Sequence, residues 1–134
     1  MSAGTLSPGC VVHWKDYKFS DGATADKYLV IVGCKTGSNY LAVIGTSKPH
    51  KKGFVAGCHH AEGYYHCPAG LAWFPKDTWL LLADPIEIVP AEFLKLGFGG
   101  VVTISGQIKT DIANAIRNCV RDCQDVSDLH RALL

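Results

Sequence analysis

The densest group of reactive side chains in this sequence is Cys58-His59-His60, followed closely by His66-Cys67. Two Cys and three His within ten positions supply thiolate and imidazole, the ligands that tetrahedral Zn²⁺ favours. The spacing works against convergence, because adjacent residues of a strand point to opposite faces and each arm can offer only one or two groups to one side. Cys58 with His60 on one face, opposed by His66, is the best ligand geometry available. The same segment can instead be a hairpin whose histidines, His59 and His60 among them, line a cleft as RNA contacts or as an acid/base pair. It can also consist of ordinary strand residues. No metal is assigned to it.

A second candidate is the basic loop Thr46 to Gly53, where His50 stands between Lys48 and the pair Lys51-Lys52. Neighbouring cations disfavour the charged form of an imidazole, so a histidine there can act as a neutral base or contact a phosphate. A solvated surface loop has the same composition. Trp73, Phe74 and Trp79, with Tyr64 and Tyr65, offer either base-stacking surfaces or core packing. Cys119 and Cys123 lie one helical turn apart and read as small core residues, since their spacing is not the Cys-x-x-Cys of redox sites.

These groups must be positioned by one modest domain. The chain has 134 residues, 48% hydrophobic and 19% charged, enough for a core and too apolar for disorder. Its longest apolar runs are too short to cross a bilayer as helices, and Met1 to Pro8 lacks the basic and apolar regions of a signal peptide. No membrane association is expected, and residence is expected to be cytoplasmic. The six cysteines are accordingly expected to be mostly free thiols. Net charge is +1, but residues 1–67 carry seven Lys against four acids and residues 68–134 six basic residues against eight acids. A basic bias in the first half permits a polyanion partner without requiring one.

Gly and Pro punctuate the first hundred residues at short intervals, which favours short strands. The pattern predicts strands at Gly9–Trp14, Lys27–Gly33, Tyr40–Ile44, Phe54–His59, Tyr64–Cys67 and Thr78–Leu82, with Lys27–Gly33 central because it is apolar on both faces. Glu87-Ile88-Val89, with prolines on both sides, reads as a separate edge-like strand. A turn or two of helix over Ala91–Leu96 and a last strand at Val101–Ser105 follow. Ile108, Ile112, Ala115, Ile116, Cys119, Val120 and Cys123 then form one helical stripe, and Ser127 is placed to cap a final short helix. The fold class expected is mainly β with C-terminal helices, a single domain over residues 1–134, as a small barrel or strongly bent sheet with helices packed on it.

The order of these pieces resembles the PemK/MazF toxin family. The likeness rests on the first strand Gly9-Cys10-Val11-Val12-His13-Trp14, the polar loop Phe19 to Asp26, the strand Lys27-Tyr28-Leu29-Val30-Ile31-Val32, and the later apolar strand Leu41-Ala42-Val43-Ile44-Gly45 ending in Thr46-Ser47. It covers the first half well and the tail only in general character. It implies an SH3-like barrel and a metal-independent endoribonuclease that cleaves single-stranded RNA without a cofactor. It also implies a homodimer held in check by an antitoxin protein in a toxin–antitoxin system. In that reading the ribose 2′-hydroxyl attacks the adjacent phosphorus. Lys27 neutralises the phosphorane, Thr46 or Ser47 hydrogen-bonds the phosphate, and Lys48, His50, Lys51, Lys52, His59 and His60 contact RNA. Two departures stand out: Lys27 occupies the family's catalytic Arg slot, and Tyr28 replaces the Pro that usually follows. Lys keeps the charge but lacks the planar fork that grips phosphate bidentately.

Overall fold

The fold is described from a computed structural model over residues 6–19, 21–48 and 52–134. In chain order the elements are β1 (Cys10–Lys18), β2 (Thr24–Gly33), β3 (Tyr40–Thr46), β4 (Gly57–His59), β5 (Tyr64–Cys67), β6 (Thr78–Ile88), α1 (Pro90–Phe98), β7 (Val102–Gln107), α2 (Thr110–Asp122) and α3 (Asp128–Arg131). The strands form one antiparallel sheet in the order β4-β5-β6-β3-β2-β1-β7. The molecule is therefore mainly β with short helices, as the turn spacing predicts. The sheet does not close on itself, since β4 and β7 remain as edges among the described residues.

The β-branched run of β2 lies inside the sheet, paired on one side with β1 (Val11 opposite Val30) and on the other with β3 (Val30 opposite Val43). Strand alternation then divides the apolar residues between two cores. Val11, Val30, Val32, Leu41 and Val43 face Ile116, Val120 and Cys123 of the α2 region, whereas Val12, Leu29, Ile31 and Ala42 face Phe93 of α1. A sheet covered on both faces explains why Leu29 to Val32 read as a continuous apolar run.

Three expectations change in detail. The Phe54–His59 strand is only Gly57–His59, because the preceding backbone is tied elsewhere: Gly53 N–H donates to the Tyr64 hydroxyl, and Trp79 Nε1 donates to the Gly53 carbonyl. Thr78–Leu82 and Glu87–Val89 are not separate strands. Thr78–Leu82 and Glu87-Ile88 are the two ends of β6, which runs through Pro85, and Val89 lies beyond it as the N-cap of α1. The register shifts between Ala42 and Ile44, leaving Leu82 to Pro85 opposite Val43, and Leu82 N–H turns aside to the Gly63 carbonyl. Proline is tolerated in such a bulge because no ladder donor is required of it. On the α2 stripe, Ala113 takes the buried place expected of Ala115, which is exposed; Ile116, Cys119 and Val120 are buried as the period predicts. Ser127 does cap α3, accepting from His130 N–H.

The cysteines are corrected in one pair. Cys58 of β4 and Cys119 of α2 form a disulfide across 61 residues, while Cys10, Cys34, Cys67 and Cys123 are free. The two partners lie in different elements far apart in sequence, so no local spacing marks them. No described helix is long and apolar enough to cross a membrane.

Candidate functional site

The ends of β2, β3 and β6 meet around a cleft of about 330 Å³. Its described lining holds Asp26, Lys27 and Tyr28 from β2, and Gly45, Thr46 and Ser47 at the end of β3. Phe74, Pro75, Lys76 and Thr78 complete it from the turn leading into β6. The register explains the meeting. Leu29 is opposite Ile44, so extending the ladder by two residues brings Lys27 opposite Thr46, and Thr46 in turn pairs with Trp79. Three segments distant in sequence thus share one end of the sheet.

Lys27, Thr46 and Ser47 are brought together here, but their functional groups differ in disposition. Alternation puts Lys27 on the side of Leu29, and its ammonium stands over the Phe19 ring, 5.6 Å from the centroid, a cation–π contact. The Thr46 hydroxyl accepts from Lys48 N–H at 3.2 Å and keeps its own proton to donate. Ser47 is exposed.

Asp26 organises the adjoining wall. Its Oδ1 accepts from the Asp16 N–H at 3.0 Å, holding the β1 bulge where Asp16 adopts φ 52°, and its Oδ2 lies 3.5 Å from Nε2 of His13. A left-handed aspartate is uncommon and persists where a partner fixes it. His13 also touches the Tyr28 ring, with centroids 5.1 Å apart. The cleft therefore combines a carboxylate, two lysines, the hydroxyls of Thr46, Ser47 and Thr78 and aromatic rings, with the His13 imidazole reaching it only through its contact with Asp26. These groups can bind an anionic, planar ligand and can exchange protons with it.

Other sequence candidates lie elsewhere. His59 and His60 belong to the β4–β5 hairpin, across β5, β6 and β3 from β2, and do not line the cleft. His59 instead stacks on Tyr64 and contacts the Val55 carbonyl and Glu62. Lys48 is exposed beyond Thr46 and Lys52 is half-buried; neither lines the cleft. His50 and Lys51 fall outside the described residues. No group of three or more His, Cys, Asp or Glu is placed to hold a metal among the described residues, and the disulfide takes Cys58 from the zinc arrangement. Tyr64, Tyr65, Phe74 and Trp79 are buried packing residues, while Trp73 is half-buried. His66 is buried in a parallel stack on Trp79, with Nε2 3.3 Å from Asp77.

Sequence reading missed Lys76 and the His13–Asp26 contact. Phe74-Pro75-Lys76-Asp77 is legible as a turn, but its place beside Thr46 depends on strand order. His13 opposite Tyr28 follows from the β1–β2 hairpin register, which the bulge at Trp14 to Tyr17 obscures. Compared with known proteins, the chain matches no family model, no curated protein and no solved structure.

Proposed function

We propose that the protein binds single-stranded RNA in the cleft between β2, β3 and β6 and cleaves it without a metal, as a toxin-like endoribonuclease on an SH3-like frame. The observation that carries this reading is the convergence of Lys27 with Thr46 and Ser47, joined by Lys76, in one cleft. The 2′-hydroxyl attacks the neighbouring phosphorus, a 2′,3′-cyclic phosphate forms, and the 5′-oxygen leaves. Lys27 and Lys76 offset the charge that develops on the phosphorane, and the hydroxyls of Thr46 and Ser47 donate to its oxygens. His13, beside Asp26, supplies an imidazole for proton transfer. The same reading makes the protein a cytoplasmic homodimer restrained by an antitoxin protein.

The test is cleavage of a mixed single-stranded RNA in the presence of a chelator. Cleavage is expected to survive chelation, to disappear in Lys27→Ala, and to rise about tenfold in Lys27→Arg, whose fork adds a transition-state hydrogen bond. Folded Lys27→Ala protein cleaving at the wild-type rate would move the chemistry away from this residue.

A second reading is a non-catalytic module that binds nucleic acid or protein through the same cleft. It is favoured by the Lys27 ammonium resting on Phe19. RNA binding without cleavage by any variant would decide for it.

A further inference from the structure

We infer that Tyr28, braced by Trp73 and His13, is the stacking platform for one unpaired nucleobase of the RNA in this cleft; the choice of RNA as ligand rests on the ribonuclease reading above. Tyr28 is 40% exposed, although the next four residues of β2 are no more than 1% exposed and the packing tyrosines Tyr64 and Tyr65 are 5% and 8%. A tyrosine serving only the core would be buried as those are.

Its neighbours hold it without occupying it. The His13 and Trp73 rings meet Tyr28 at interplanar angles of 54° and 58°, with centroids 5.1 and 5.3 Å away. By contrast, His59 on Tyr64 and His66 on Trp79 are near-parallel stacks at 25° and 12°. In those pairs one face of each aromatic ring is already covered by an imidazole, whereas none of the three rings around Tyr28, Phe74 included at 75° and 6.4 Å, stacks parallel on it. Trp73 is itself fixed from an independent direction: a Cβ on Gly106 of β7 would overlap its indole, so glycine there leaves the space that the ring fills. A rigid aromatic with exposed surface can stack any base, and the lysines at the rim, Lys27 and Lys76, suit the phosphates flanking it.

The test is fluorescence anisotropy of a short labelled single-stranded RNA on the full chain, in chelator and low salt, alongside an abasic strand of the same length. Tyr28→Ala is expected to weaken binding about tenfold, while Tyr28→Trp preserves it. The abasic strand should bind wild type as weakly as intact RNA binds Tyr28→Ala, and Gly106→Ala should weaken RNA binding by displacing Trp73. Equal binding of intact and abasic strands overturns the inference, and this arm needs no variant to fold. So does wild-type affinity in a Tyr28→Ala protein whose near-UV circular dichroism is retained, or absence of RNA binding by wild type. RNA held through Tyr28 but left intact removes the ribonuclease reading and leaves the stacking site standing. Cleavage independent of Tyr28 does the reverse.

Discussion

Asp26 illustrates how much one side chain can do at the rim of a small sheet. It pins the left-handed Asp16, approaches His13, and contributes to the cleft wall. The buried thiols have a different consequence. Burial pushes the Cys67 thiol from 9.0 up to about 12, and burial together with the nearby Cys34 pushes Cys10 up to about 11. Tyr65 is raised as well, first by burial. The folded chain therefore keeps protons that the unfolded chain releases near pH 9. Stability is full below that pH and falls as pH rises through the folded values toward about 12. Urea midpoints should accordingly decline above pH 9, and Cys67→Ala should make the decline shallower. A midpoint independent of pH across that window would contradict the burial of these thiols.

Among the elements, β4 is the least supported. It has three residues, pairs among the described residues with β5 alone, and gains its second anchor from the Cys58–Cys119 bridge to α2. Closing a loop of 61 residues restricts the unfolded chain, and the chain-entropy model assigns about 4 kcal/mol to a loop of this size. A dithiol reductant, or Cys58→Ser, should lower unfolding free energy by up to that amount. Amide exchange should accelerate first at Gly57 to His59 and later in β2 and β3. Identical urea midpoints with and without reductant would show that the bridge does not form in solution. At the opposite edge, β7 contributes Gly106, whose missing side chain seats Trp73 behind the cleft.

Over the whole molecule, a net charge of +1 gives little long-range attraction for a polyanion, so the RNA binding proposed above would draw its affinity from local contacts. Of the cations bordering the cleft, Lys27 and Lys76 lie in its described lining. Neutralising two phosphates of a single strand corresponds to a slope of about −1.4 in log affinity against log salt. Filter binding or anisotropy across a salt series should find a slope near that value, reduced by about half in Lys76→Ala. A much steeper slope would place the RNA along the wider basic surface of the first half instead.

The sequence alone determined what depends on near neighbours. Period-two and β-branched runs set β2, β3 and β5, the 3.6-residue stripe set α2, Pro90 marked the start of α1, and Ser127 marked the cap of α3. Lys27, Thr46 and Ser47 stand out through the family resemblance and the expected strand ends; they line one cleft, but β2 begins at Thr24, so Lys27 lies within the strand and not at its end. Strand order, register and bulges decided the rest, since they are fixed by contacts between residues far apart in the chain. They merged the two halves of β6 through Pro85, exchanged Ala115 for Ala113 on the buried side of α2, and joined Cys58 to Cys119. They also separated His59 and His60 from the cleft and brought in Lys76, Tyr28 and the His13–Asp26 contact. A cleft formed where three strands end is a property of their packing, which no local pattern in any one of them encodes.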